Sequence, residues 1–393
     1  MILRALIALL LVASPTLWAT PQLSLLTGNR CSNCHVAPSG GGLRSELGWY
    51  SWYDVGMISR NSELFRWLYP ADESNTFFDG LLTLGMDARI QSTRSFSSPS
   101  AQRVTFPMQA TLYAAITPIK AMTVEGQFNL AALRKAPNST STVTYAGQRA
   151  AMGSVILTPG DNLPTVRVGL FRPSVGVRYD DHTVLPVNYV SSTARLNYLA
   201  PDWGEWGSEL TWEAQKWLSV NLGLFGSEGL SNVRISDGQS VMPLISGTSP
   251  TVTGRVVVWP QFLAQHLNTY AGGSVLVNND FSMVSAFAGV GRSDQLYAMI
   301  DYTQTEKKDV LQSRNLMAEL GWQVWSPLIV YARYEVGRTT QARSTTSATV
   351  RSMVFGAQAF VLPYVEVRPE YRIWDTELPG ATGRWNVQLH IFY

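Results

Sequence analysis

The stretch Leu82-Thr-Leu-Gly-Met-Asp-Ala-Arg-Ile-Gln91 alternates between apolar residues and polar or small ones. Its apolar members occupy every second position, and Asp87 and Arg89 lie between them. A period of two residues is the period of a β-strand, whose successive side chains point to opposite faces. The stretch therefore predicts a strand with one apolar face and one charged face.

The same alternation recurs through residues 122–130, 328–335 and 365–373. In total, about sixteen strands are expected, an even number that is typical of single-chain bacterial barrels. Their expected starts are Phe77, Val104, Met122, Arg149, Thr165, Gly207, Leu218, Val252, Asn268, Phe281, Gln295, Leu316, Leu328, Arg351, Val365 and Arg384. The predicted fold class is all-β, a transmembrane antiparallel barrel with a small α-helical segment before it.

A soluble β-sandwich also alternates, but it needs a second sheet to cover its apolar faces. Aromatic residues at strand ends favour a membrane barrel, because such barrels carry aromatic girdles at both interfaces. They are Trp322, Trp325, Trp374 and Trp385. The net charge of +2 is too small to indicate nucleic acid as a partner. Outer-membrane lipid is the expected partner of the barrel.

Connections between the strands alternate in length, which predicts the orientation of the barrel. Short turns belong on the periplasmic side and long loops outside, so both barrel termini are expected in the periplasm. The longest loop, residues 172–206, contains Asp180, Asp181 and His182. Their oxygen and imidazole groups are candidate contacts for extracellular iron, although a solvated loop would contain the same residue types.

Three parts of the chain differ in composition. Residues 1–19 are expected to be an export signal, because Arg4 precedes a short apolar run and small residues follow near Ala19. Residues 20–76 form a short segment that contains both cysteines of the chain. Residues 77–393 have the alternating pattern of the barrel, so the expected location is the Gram-negative outer membrane.

Cys31, Cys34 and His35 form a C-x-x-C-H motif. This is the attachment signature of c-type haem: the two thiols join the porphyrin, and the histidine is the proximal ligand of the iron. A disulfide or a redox dithiol is the alternative for an exported pair. One covalent haem c is the expected cofactor, in a segment lying on the periplasmic side or in the lumen.

The distal side of the haem is less determined by the motif. Met57 would complete a histidine–methionine pair, while His390, His266, His182 and water remain alternatives. Arg30 and Arg44 are candidate partners of the haem propionates, or simply solvated side chains. Short helices are expected over residues 43–53 and 61–69. In the first helix one side is expected to carry Leu43, Leu47 and Tyr50, and in the second the residues expected to face inward are Leu64, Trp67 and Leu68.

The chain resembles the fused monohaem cytochrome–porins of Gram-negative bacteria, including the iron-oxidase type. The resemblance rests on the order of the parts and on Thr27-Gly28, the C-x-x-C-H motif and Leu47-Gly48. It departs at Gly40–Gly42, which stand where a longer apolar, proline-containing stretch is expected. The resemblance implies an electron conduit between a periplasmic carrier cytochrome and an extracellular donor or acceptor such as ferrous iron. It leaves open whether the protein is an iron:cytochrome oxidoreductase. A diffusion porin with a haem-bearing plug is the alternative.

Overall fold

The structure is a computed structural model, and it shows a closed antiparallel β-barrel. It describes residues 21–69, 74–95, 103–133, 149–160, 162–177, 184–190, 195–199, 202–237, 239–260, 267–293, 295–343, 347–376 and 382–393. Sixteen long strands pair with their neighbours, and the first of them also pairs with the last, where Ala88 is the partner of Ile391. Among the described helices, none has the length and apolar character needed to cross a membrane.

The barrel strands are β2 (Leu82–Ser95), β3 (Val104–Ile119), β4 (Met122–Asn129), β5 (Ala151–Leu157), β6 (Thr165–Phe171), β9 (Glu205–Gln215), β10 (Leu218–Phe225), β13 (Thr251–Val258), β14 (Leu267–Asn278), β15 (Phe281–Arg292), β16 (Leu296–Lys307), β17 (Leu311–Trp325), β18 (Leu328–Gln341), β19 (Ser347–Leu362), β20 (Val365–Thr376) and β21 (Thr382–Phe392). A short strand, β1 (Thr76–Phe77), pairs with β2. Loop hairpins are formed by β7 (Asn188–Val190) with β8 (Arg195–Asn197), and by β11 (Arg234–Ser236) with β12 (Val241–Pro243).

The described helices are short and do not form part of the barrel wall. They are α1 (Pro21–Thr27), α2 (Cys31–Cys34), α3 (Glu46–Tyr50) and α4 (Glu228–Ser231). Single 3₁₀ turns occur at Arg66–Leu68, Leu130–Leu133 and Leu185–Val187. The predicted fold class, an all-β barrel of sixteen strands with a small helical N-terminal segment, is confirmed.

Each of the sixteen predicted strands has a counterpart, and seven begin at the predicted residue. These seven are Val104, Met122, Thr165, Leu218, Phe281, Leu328 and Val365. The first strand starts at Leu82 instead of Phe77, because Phe78, Asp79 and Gly80 have positive φ and form a turn. Residues with such backbone angles cannot continue a β-strand, so the apolar pattern extended beyond the strand itself.

The predicted charged face points into the barrel. Its buried members on β18 and β20 are Arg333, Glu335, Glu366, Arg368, Glu370 and Arg372. They pair with residues of the same face two positions along the strand, as in the 2.9 Å contact between Arg368 Nε and Glu366 Oε1. Outward apolar side chains such as Ile300 and Leu320 remain exposed. The barrel therefore has an apolar outer surface and a charged lumen.

Replacing Ile300 by arginine should destabilise the barrel by about 2–4 kcal/mol in a lipid bilayer. Ile300 lies near the middle of β16, points outward and is 47% exposed, so the new charge would lie in hydrocarbon. Urea unfolding in phospholipid vesicles would measure the difference, with Ile300→Leu as the control. If both variants unfolded at the same urea concentration, the outward face of β16 would not contact lipid.

Two groups of side chains occupy the lumen. At the end with the shorter turns, the N-terminal segment packs inside the barrel: α1 contacts β14, β15 and β16. At the opposite end, long loops fold inward around buried Tyr198, Trp203 and Leu230, which pack with Phe281 of the wall. The carboxylate of Glu205 accepts hydrogen bonds from Trp203 Nε1, Gly229 N and Leu230 N, and it thereby anchors α4 to the wall.

The two predicted helices of the N-terminal segment are largely wrong. The first is helical only over Glu46–Tyr50, and its expected side is divided, because Leu43 is buried while Leu47 and Tyr50 are exposed. The second contains one 3₁₀ turn, Arg66–Leu68. Its apolar side chains face out as well, with exposures of 70% for Leu64, 74% for Trp67 and 42% for Leu68. Trp49 and Trp52 pair with aromatic residues at the barrel rim, so the segment is fixed through a different face.

Candidate haem site

The C-x-x-C-H motif forms one helical turn followed by a sharp change of direction. Residues Cys31 to Cys34 are helical, so the two cysteines, three positions apart, lie on the same side of the turn. His35 leaves the helix in an extended conformation, and its backbone N–H donates to Cys31 O at 3.1 Å. This turn brings the histidine to the same side of the segment as the first cysteine.

The glycine run closes a tight loop behind His35. His35 forms an antiparallel bridge with Arg44, and Val36 N donates to Leu43 O at 3.0 Å. Gly40, Gly41 and Gly42 join the two sides with φ values of 82°, 72° and 68°, a region that only glycine enters without strain. The departure of this run from the resembled sequences therefore has a structural reason in this chain.

A second glycine allows α3 to lie against the motif. A Cβ atom on Gly48 would be 2.7 Å from the carbonyl carbon of Cys34 and would overlap its oxygen. The same carbonyl oxygen accepts from Ser45 N at 3.0 Å. Leu47-Gly48 was part of the resemblance, and the close packing of Gly48 on Cys34 explains the glycine.

Aromatic side chains hold α3 against the strand ends of the barrel. Trp49 stacks on Tyr364 with ring centroids 5.3 Å apart. Trp52 packs against Phe360 at 4.4 Å and Phe392 at 5.1 Å. Buried aromatic rings contribute large apolar area to packing, so the C-x-x-C-H motif is fixed relative to β19, β20 and β21.

The motif faces a cavity of about 1150 Å³ inside the barrel, a volume that includes open lumen. Both Cys31 and His35 line it. Other lining side chains are Arg44, Arg89, Arg172 and Arg255, Tyr113 and Tyr270, Met152, Trp259 and Phe287.

Two glycines in the cavity wall allow aromatic rings to lie against backbone. A Cβ on Gly272 would lie 2.7 Å from the ring of Phe287, and one on Gly289 would lie 2.9 Å from the ring of Tyr270. The two rings are inclined at 61°, with centroids 6.2 Å apart, and line the same cavity as Cys31 and His35. Thiol, imidazole and apolar aromatic groups are what a haem c site uses, so the residues present are compatible with haem.

Cys34 is fully buried beside the cavity. Burial raises the pKa of its thiol to about 12, the neighbouring Cys31 adds to this effect, and Arg44 opposes it. A thiol with a raised pKa is protonated at neutral pH and is not itself a nucleophile.

Arg44 is held by a chain of buried polar groups. Its Nη1 lies 3.4 Å from Asp87 Oδ1, and its guanidinium lies over the ring of Phe392 at 4.4 Å. Asp87 Oδ1 is 2.9 Å from His390 Nε2, and His390 Nδ1 is 3.1 Å from Glu366 Oε2. Both ring nitrogens of His390 contact carboxylates. The histidine therefore links strands of the barrel, and neither nitrogen is available to bind iron.

The remaining predicted residues lie elsewhere. Met57 is 42% exposed at the rim, where its N–H donates to Phe360 O at 2.8 Å, and it does not line the cavity. Arg30 stacks over Trp259 at 5.0 Å. The expectations for His182, His266, Asp180 and Asp181 lie outside the described residues.

The structure adds Met152 to the residues that could approach a haem. It is an inward residue of β5 and the methionine among the described lining residues of the cavity. Sequence reasoning favoured Met57 because it is near the motif in the chain. The register of β5, which places Met152 on the same face as the buried Ser154, was the available signal.

Together, the closed barrel, its apolar outer surface and its charged lumen define a porin-like outer-membrane β-barrel. The anion-selective porin from Comamonas acidovorans is similar in fold, with a TM-score of 0.51, 9% identity, and coverage of 79% of this chain and 99% of that one. OmpT, an outer membrane protein of Vibrio cholerae, has a TM-score of 0.50, 10% identity, and coverage of 79% and 99%. No protein-family model and no curated protein matches the sequence.

Proposed function

We propose that this protein is an outer-membrane electron conduit that carries one covalent haem c inside its barrel. The observation that supports this most is the position of Cys31 and His35 on a single lumen cavity. A haem c bound there would supply one-electron transfer. Extracellular electron transfer is the proposed process, with ferrous iron as one candidate donor.

The residues of the chain would hold and orient such a group. Cys31 and Cys34 are the attachment points, and His35, fixed by its bridge to Arg44, is the proximal ligand. Trp259, Tyr270 and Phe287 would cover part of the group with aromatic rings. A covered site with fixed ligands limits reorganisation during electron transfer, since the protein sets position and electrostatics for the cofactor.

The position of the site determines which partners are needed. The N-terminal segment lies in the barrel end that has the shorter turns, where Tyr69 Oη donates to Pro363 O at 3.0 Å. We assign this end to the periplasm by the general rule for bacterial barrels. A periplasmic carrier cytochrome would then dock below the segment. The apolar band of the membrane is about 25 Å thick, which is more than the length of one haem. The extracellular loops would therefore bring the external donor or acceptor into the barrel.

A diffusion porin with a haem-bearing plug is the second candidate. The similarity in fold to solved porins supports it, and so does the charged lumen. Against it, the N-terminal segment contacts both Asp87 of β2 and Glu213 of β9 across the lumen. The loop cluster around Trp203 occupies the other end. We therefore expect narrow or no passage for solutes.

Vesicles containing the purified protein should distinguish these two functions. We expect an external reductant that cannot cross lipid to reduce cytochrome c trapped inside, at a rate at least tenfold above protein-free vesicles. Single-channel conductance in planar bilayers should be far below that of an open sixteen-stranded porin. Porin-like conductance together with no reduction of the trapped cytochrome would favour the second candidate and contradict the first.

A further inference from the structure

The hydroxyl of Tyr270 is buried in the wall of the cavity without a hydrogen-bond partner. The side chain is 7% exposed, and its hydroxyl makes no hydrogen bond to the described residues. Its ring is held in place because it lies against Gly289. A buried hydroxyl without a partner is costly to the folded state, and each such group calls for an explanation. A polar group of a ligand in the cavity would satisfy it.

Arg255 is a cation in the same wall without a carboxylate partner among the described residues. Its Nε donates to Gly176 O at 2.9 Å, and its guanidinium lies 5.5 Å from the centre of the Phe287 ring. The nearby carboxylate of Glu209 accepts instead from the backbone and side chain of Ser174, at 2.9 and 2.7 Å. The terminal nitrogens of Arg255 are therefore available to an anion.

We infer that Arg255 and Tyr270 form a carboxylate-binding pair that takes a propionate of the haem, an inference that rests on the proposed function. Both residues line the cavity with Cys31. Guanidinium and hydroxyl groups are the donors that a carboxylate prefers. Arg44, which also lines the cavity, contacts Asp87 at 3.4 Å, and Arg30 lies over the ring of Trp259.

The test is the reduction potential of the purified protein in the variants Arg255→Gln and Tyr270→Phe. Loss of Arg255 leaves a propionate charge uncompensated, which stabilises the oxidised, more positive iron. We expect the potential of Arg255→Gln to fall by about 59 mV, a tenfold change in the ratio of oxidised to reduced protein for one electron. Tyr270→Phe keeps the ring and should shift the potential in the same direction by a smaller amount.

Tyr297→Phe is the matched control. Tyr297 is another buried lumen tyrosine, but its hydroxyl donates to Glu319 Oε1 at 2.8 Å and it does not line the cavity. The reduction potential of the Tyr297→Phe variant should equal that of the wild type. With haem stain present in every variant, unchanged potentials for Arg255→Gln and Tyr270→Phe, or an equal shift in Tyr297→Phe, would overturn the carboxylate pair alone. A wild-type protein without haem would overturn both this inference and the proposed function.

Discussion

Replacing Cys31 and Cys34 together by alanine should abolish the covalent haem stain of the protein on a denaturing gel. These are the two cysteines of the chain, so no other thiol can form the thioether bonds. The effect should be complete because c-type attachment is covalent. Electron transfer into vesicles should fall to the protein-free level at the same time.

The barrel itself should survive this change. Its strands pair with one another around the full circumference, and neither cysteine belongs to a strand. The heat-dependent gel migration of a folded barrel should therefore be retained. Ser32→Ala is the matched control, since it lies between the two cysteines and loses only a hydrogen bond to Glu213. Haem stain that persisted in the double alanine variant would refute attachment at this motif.

Replacing Gly48 by alanine should reduce haem attachment at least about tenfold. The added methyl group would overlap the backbone of Cys34, which cannot move aside like a flexible side chain. Overpacking costs about 1–3 kcal/mol in well-packed sites, and every 1.4 kcal/mol is a factor of ten. Helix α3 would have to leave the motif, and its contact through Trp49 with Tyr364 would be strained.

The ratio of haem absorbance to protein measures this effect. Gly160→Ala is the control, because the nearest atom to its new Cβ would be 4.0 Å away, a Leu163 methyl carbon in a short turn. It should attach haem as the wild type does. Equal haem content in the two variants would mean that α3 does not pack on Cys34 in the mature protein.

The barrel was predictable from the sequence because its signal is local. Each of the sixteen strands has its own alternation, because one face of each strand points to lipid and the other to the lumen. The error at Leu82 arose because the apolar pattern extends into a turn, and the error at Leu311 arose because the strand continues into the polar residues 312–315. The Cys31, Cys34 and His35 motif was also visible in the sequence, because its three residues lie close together in the chain.

The lumen side of the site was not predictable in the same way. Tyr270, Arg255 and Met152 are far from the motif in sequence and reach the cavity only because strand register turns them inward. The small helices failed for a related reason: Trp49 and Trp52 are buried by partners on β19 to β21, which no helical periodicity can reveal. The sequence alone determined the strands, their two faces and the C-x-x-C-H motif, because local patterns encode them. Only the tertiary structure decided which side chains surround the motif, because closing the barrel brings together residues hundreds of positions apart.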